Sequence, residues 1–467
     1  MRRMTKDPST ATEVVRGPTM CSLPPEILAS IFLAAKALVD HERAEADVAS
    51  DESSSMPLEL IVAQVCRLFR RIALTTQRLW TTVEVGITTP LDLVKLRTFY
   101  SGQQALDVTV FTTYVTPIQS TPEGTALLDH LLLLSHRWGS LTIWSDRERH
   151  DKSSLVYILS SAPTPRLRSL SITVDDIEEA DVSSIDSTEP HVFVDEPQNV
   201  QFVRLRGMAL YFFRPKLNTT TTLHIEQTCH ITLQYTTFKT ILTASPGLAH
   251  LSVYGDIIPP NMWPARLGDI ELPSLQSLRI CSIGGDTYSR LLICIDAPNL
   301  RSLTLKDLKE HDLDFFCQLA NTTHFPSLKE LVFCDFDPSP RTYNNLFRVF
   351  QHVETFQNLL SPICRSNVVP VLMPTVAACK VVLPKLQTLS FPFHSCQEDD
   401  SAMKALLEAR EQAGSPLAKV LMRIGYDECG ERTPDAGSGT AVRYVLGIDA
   451  WPEQGPVYDL GDRLFYN

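Results

Sequence analysis

Residues 298–305, PNLRSLTL, decide how this chain reads, because the pattern returns as PRLRSLSI from Pro165, PGLAHLSV from Pro246, PSLQSLRI from Pro273, PSLKELVF from Pro326 and PKLQTLSF from Pro384. Successive prolines stand 81, 27, 25, 28 and 58 residues apart. Dividing the two long steps into three and two leaves one period near 27 throughout. Weaker copies stand at the skipped places: Val200, Val203 and Leu205; Leu223 and Ile225; Val353 with Phe356. A fixed period in this range is the mark of stacked repeats.

Each copy is apolar at its third, sixth and eighth places, as in Leu300, Leu303 and Leu305. The last two alternate with polar residues, which predicts a short strand with one buried and one wet face, opened by the proline where no ladder donor is needed. Residues 288–294 and 311–319 are long enough for one or two helical turns. A strand-turn-helix unit this small cannot bury its own apolar face, so stacked neighbours must supply the core. The expected fold class is α/β: a leucine-rich-repeat-like solenoid with a curved parallel sheet, in which Leu170, Leu251, Leu278, Leu303, Leu331 and Leu389 point inward. Unrelated leucine-rich strands of an ordinary α/β domain are the alternative. The polar strand positions, His250, Tyr254, Arg279 and Lys306 among them, would line the wet face. His250, Tyr254, Arg279 and Lys306 are the candidate target-binding residues, and Tyr254, Arg279 and Lys306, on neighbouring strands, would form one patch suited to an acidic or phosphorylated segment. Asp256, Ile283, Leu308 and Phe336 stand where such repeats usually carry a turn Asn, so the array should be irregular.

The chain has 467 residues, 44% hydrophobic and 21% charged, a net charge of −12 and a pI near 5.5. Those values suit a soluble multi-domain or repeat protein and argue against nucleic acid or an anionic membrane as the main partner. Residues 1–20 lack the apolar run of a secretory signal, and no stretch approaches a membrane span. Eleven scattered cysteines fit reduced thiols in the cytoplasm or nucleus. Chemistry-bearing motifs are few. Gly437, Ser438 and Gly439 read as a flexible turn, His394 and Cys396 have no second pair at structural-zinc spacing, and no phosphate loop or dinucleotide fingerprint is present. The expectation is a non-catalytic protein without cofactor or metal.

Residues 1–19 read as disordered. LPPEILASIFLAAKAL, residues 23–38, has prolines and Glu26 suited to a helix start and an apolar stripe of Ile27, Leu28, Ile31, Phe32 and Ala35. Residues 40–55 are an acidic, Ser-rich insertion. PLELIVAQVCRLFRRIALTT, from Pro57, predicts one helix of four turns with Cys66 on its buried side, and RLWTTVEV leads through Trp80 into an extended run. So few helices make a small core that needs a partner or the adjoining domain.

LPPEILASIF, AQVCRLFRRIA and QRLW, at these spacings, resemble the F-box domain in the form found in mushroom-forming fungi. LDVTVF (residues 106–111) and SHRWGSLTIW (residues 135–144) are similar to the first repeat elements of the same proteins. The chain departs from that pattern in its acidic insertion and in having Phe69 where a Trp is usual. The resemblance implies a helical adaptor-binding domain over residues 20–85, a repeat solenoid over 86–450 and a C-terminal cap or tail over 451–467. It implies docking on a Skp-type adaptor, and through it a cullin, by Leu23, Pro24, Ile27, Leu28, Ile31, Phe32, Val65, Cys66, Phe69 and Trp80. The implied function is the substrate-recognition subunit of a ubiquitin ligase. A repeat scaffold without a ligase role is the alternative.

Overall fold

The computed structural model describes residues 20–45, 56–113, 117–146, 148–149, 153–175, 177–178, 192–193, 199–228, 231–264, 268–281, 286–319, 324–334, 338–359, 368–373, 381–392, 397–423 and 441–445. The chain divides into two compact units, Met1–Thr81 with Lys95–Gln104, and Thr82–Val94 with Ala105–Asn467. A later segment, Lys95–Gln104, thus groups with the first unit.

The first unit contains α1 (Pro25–Glu45), α2 (Leu58–Val65), α3 (Arg67–Thr75), a 3-10 turn over Gln77–Trp80, and the end of α4 (Leu91–Tyr100) from Lys95 on. Leu28, Phe32, Val62, Phe69, Ile72, Ala73, Leu79 and Trp80 form its core. The Phe32 and Phe69 rings meet edge to face at 5.0 Å, and Trp80 donates its Nε1 hydrogen to the Ala73 carbonyl at 2.8 Å. Two expectations need correction. Helix α1 runs on through Glu45, into what reads as a solvated insertion; its remainder, residues 46–55, lies outside the described residues. The stretch from Pro57 is two helices, broken at Cys66, whose backbone is extended and whose Sγ accepts the Phe69 amide hydrogen at 3.4 Å. Cys66 is the cap of α3, satisfying one of its unpaired first-turn donors, rather than a residue inside a continuous helix.

The second unit is mixed α/β, built on one fourteen-stranded sheet. Its strands are β1 (Thr82–Val85), β2 (Leu106–Thr112), β3 (Trp138–Ser145), β4 (Ser169–Val174), β5 (Phe202–Gly207), β6 (Thr222–Glu226), β7 (His250–Tyr254), β8 (Ser277–Cys281), β9 (Ser302–Lys306), β10 (Glu330–Cys334), β11 (Thr355–Leu359), β12 (Thr388–Pro392), β13 (Lys419–Arg423) and β14 (Ala441–Val445). Spatial order follows chain order, and every neighbouring pair is parallel. Leu170, Val203, Leu223, Leu251, Leu278, Leu303, Leu331, Phe356 and Leu389 stand in one register row across β4 to β12, all shut off from solvent. The period of about 27 therefore places the weak copies in line with the strong ones.

Parallel neighbours need crossovers, and short helices supply them. They include α5 (Pro122–Leu133), α6 (Leu155–Ser160), α7 (Ala209–Phe212), α8 (Tyr235–Thr243), α9 (Asp286–Cys294), α10 (Asp314–Leu319), α11 (Pro340–Val349), α12 (Val368–Leu372) and α13 (Gln397–Gln412). Leu128 of α5, Phe238 of α8, Leu291 of α9, Leu346 of α11 and Leu406 of α13 join the strand leucines in a single core. The octapeptide proline sits in the turn before the strand rather than at its start. Pro298 lies four places ahead of β9, in a turn closed by the Leu300 amide on the Ala297 carbonyl at 3.1 Å.

Three strands are left through a left-handed residue: Gly207 (φ 62°) ends β5, and Gly255 (φ 83°) and Asp307 (φ 56°) directly follow β7 and β9. A Cβ on Gly255 would stand 2.4 Å from the Gln227 carbonyl oxygen, so only glycine fits there. The turn is thus made one residue before Asp256 and Leu308, and no Asn is needed. Residues 424–440 and 446–467 lie outside the described residues, as do 1–19, Ile283, Phe336, His394 and Cys396. The last described strand is β14, parallel to β13.

Candidate functional site

Helix α1 carries two apolar stripes where its sequence reads as one. Leu28 and Phe32 face the core, while Ile27 (48% exposed) and Ile31 (37% exposed), four residues apart, face outward with Leu38 on the same side. Leu23 and Pro24 ahead of the helix, and Ile61 and Val65 (62% exposed) on α2, are exposed as well. The ten residues expected at an adaptor interface therefore divide. Leu23, Pro24, Ile27, Ile31 and Val65 are open to a partner, Cys66 is half-buried at its cap, and Leu28, Phe32, Phe69 and Trp80 are core. Ile61, an apolar position of the same helical pattern as Val65, is not among the expected interface residues, although its spacing to Val65 places it beside them.

A buried ion cluster lies inside the same unit. Arg97 Nε donates to Glu59 Oε1 at 2.8 Å, and Lys36 Nζ stands 3.9 Å from Glu59 Oε2, with all three side chains buried. Tyr100 packs on Trp80 at 5.0 Å. Residues 95–104 are thereby tied to α1, α2 and the 3-10 turn.

The second unit's polar sheet face differs from the expected wet platform. Tyr254 and His250 are half-buried, but Arg279 (1% exposed) and Lys306 (6%) are buried, as are Ser171, Arg204, His224, Ser252 and Thr304. The same face carries an apolar cluster of its own, Val332, Cys334 and Leu359. Alternation marks which residues leave the leucine core; it is silent on what packs against the other side. The expected trio of Tyr254, Arg279 and Lys306 does share this face, since Tyr254 and Lys306 flank Cys281 in one row and Arg279 lies in the row beside it. Sequence reasoning missed the strongest charges nearby. Arg204 grips Glu226 on the next strand with two bonds, Nε to Oε1 at 2.8 Å and an Nη to Oε2 at 2.9 Å, both side chains buried. Charged residues at alternate places in FVRLRG were the available signal.

Burial pushes the His250 imidazole below its ordinary range, and the neighbouring His224 and Arg279 push in the same direction. The fold therefore holds His250 neutral while the unfolded chain takes up a proton near pH 6.5. The unfolded state binds more protons below that value, so stability should fall as pH drops from about 6.5 towards the lower folded-state pKa. Replacing His250 by Gln should flatten that part of the pH-stability curve, as read by urea unfolding at several pH values. An unchanged slope would count against a titrating His250.

A scan against protein-family models finds no match for this chain, and no curated protein matches it significantly. Among the described residues, no group of His, Cys, Asp and Glu is placed to hold a metal ion, and no helix is long and apolar enough to cross a membrane.

Proposed function

We propose that the protein is a target-receptor subunit of a cullin-type ubiquitin ligase, with the helical unit as its F-box-like, adaptor-binding part and the repeat sheet as its target-binding part. The observation that carries this reading is the outward stripe of Ile27 and Ile31 with exposed Val65, on a unit whose core is already filled by Leu28, Phe32, Phe69 and Trp80. The resemblance of LPPEILASIF and its partner motifs gives that stripe an occupant, a Skp-type adaptor; an apolar helix face laid into a partner groove is a recurrent mode of recognition. The repeat unit fits the second role because stacked repeats offer one extended surface. The protein itself makes and breaks no bonds in this scheme.

The test is Ile27→Asp with Ile31→Asp. Both side chains are exposed in the free protein, so the fold should survive, while two charges would be buried unpaired on docking. Capture of a Skp-type adaptor and a cullin from native cells should be lost. Phe32→Asp is unsuitable, since it would charge the core. Undiminished capture by the folded double variant would refute the docking surface, and failure of the wild type to capture a cullin would favour a scaffold without ligase role.

A further inference from the structure

At the outer register position of β3 to β7, the side chains that succeed one another are Trp144, Thr173, Arg206, Glu226 and Tyr254. Glu226 already has both oxygens engaged by Arg204. Arg206, on the same face, reaches only to 3.9 Å from Glu226 and 3.9 Å from Asp175, beyond hydrogen-bond length in both directions. Its Nε is buried and has no hydrogen-bond partner among the described residues, yet the side chain as a whole is 22% exposed. Directly beside it, Thr173 is completely buried, and its hydroxyl is likewise without a partner among the described residues. Trp144 and Tyr254, half-buried, flank the pair, Trp144 one strand beyond Thr173 and Tyr254 two strands beyond Arg206, about 5 and 10 Å away.

A guanidinium presents its donors as a planar fork, and a threonine hydroxyl one strand away can add another. The group that completes such a set carries two or more oxygens and a negative charge. Asp175 is half exposed and too far away to serve, so solvent screens its attraction. Arg206 therefore differs from buried Arg204, whose fork is filled from within the sheet, and from buried Arg279 and Lys306, which solvent does not reach.

We infer that Arg206 and Thr173 form an anion-reading position of the target-binding face, taking the carboxylate or phosphate of a peptide segment between Trp144 and Tyr254. This rests on the reading of the second unit as the target-binding part. It also moves the recognition point from the buried Arg279 and Lys306 to Arg206, whose side chain is 22% exposed, with buried Thr173 behind it.

The experiment uses the full chain, immobilised, and three peptide pools of random flanks around a central phosphoserine, Glu or Ser. Retention of the phosphoserine pool, the Glu pool or both over the Ser pool is expected, and the pattern identifies which anion is read. Arg206→Gln should cut that retention about ten- to a hundredfold, the scale of one charge-assisted hydrogen-bonded contact. Arg206→Lys should keep part of it, having the charge without the fork. Thr173→Val should cost about three- to tenfold in retention while the melting temperature holds or rises, because an unpartnered buried hydroxyl is removed. A merely structural role for Thr173 would move the melting temperature and spare retention. Equal retention of all three pools, no retention of either anionic pool, or unaltered retention by Arg206→Gln overturns the proposal. Adaptor capture, scored on the same protein, reports on the helical unit. Its loss with peptide retention intact would refute the ligase reading and leave this site standing.

Discussion

Replacing Glu59 by Gln should destabilise the helical unit by about 3–5 kcal/mol, the usual cost of removing one partner from a buried ion pair. The variant keeps the shape of the side chain and removes only its charge. Arg97, now 2.8 Å from the Glu59 carboxylate, would stay buried without it, and the carboxylate facing Lys36 would go as well. A core of eight buried side chains has little reserve against such a loss. Hydrogen exchange on the full chain should then show faster exchange across α1, α2 and α3, with the strands β5 to β10 protected as before. Glu59→Leu combined with Arg97→Leu should cost less than Glu59→Gln, because the buried Arg97 charge goes with its partner and only Lys36 loses a facing carboxylate. Unchanged exchange in Glu59→Gln would mean that the cluster contributes nothing. The same geometry bears on the adaptor-binding role proposed for this unit. A fragment of residues 20–85 lacks Arg97 and Tyr100, so adaptor binding by a fragment should require the chain through Gln104.

What could be read from the amino-acid order, and what could not, follows from the range of the forces involved. The leucine row was legible because alternation within a strand and repetition between strands are both local patterns; Leu278, Leu303 and Leu331 announce themselves, and Phe356 or Val203 follow by counting. The break at Cys66 was hidden because α2 and α3 keep nearly the same apolar spacing through it; only backbone hydrogen bonding reveals that a thiol caps the second helix. The two stripes of α1 merged for a related reason. Ile27 and Leu28 are neighbours in sequence, and a stripe wide enough to include both spans a core face and an open face. Glu59 and Arg97, 38 residues apart, meet only through tertiary structure. Arg204 engages Glu226 while Arg206 stays 3.9 Å from it and partly exposed, a distinction that no sequence pattern encodes.

Truncating Leu303 to Ala should cost about 2–5 kcal/mol, the range for removing a buried leucine side chain and leaving a cavity. The side chain is completely shut off from solvent, and its register neighbours Leu278 and Leu331 lie on the strands to either side, so the void would open in the middle of the apolar row. Those neighbours are held by parallel ladders and cannot easily close over it. Thr304, the next residue, points to the opposite face, and its truncation to Ala should cost far less, because only a hydroxyl and a methyl group are lost. The contrast tests the face assignment directly: equal costs at 303 and 304 would mean that the alternation has been assigned wrongly. The repeat character adds a spatial expectation. Each unit in such an array leans chiefly on the units beside it, so the damage should be greatest in β8, β9 and β10 and fade towards β2 and β12. Hydrogen exchange resolved by segment would reveal the gradient. Uniform loss of protection across the whole sheet would instead mean that all fourteen strands unfold as one cooperative body.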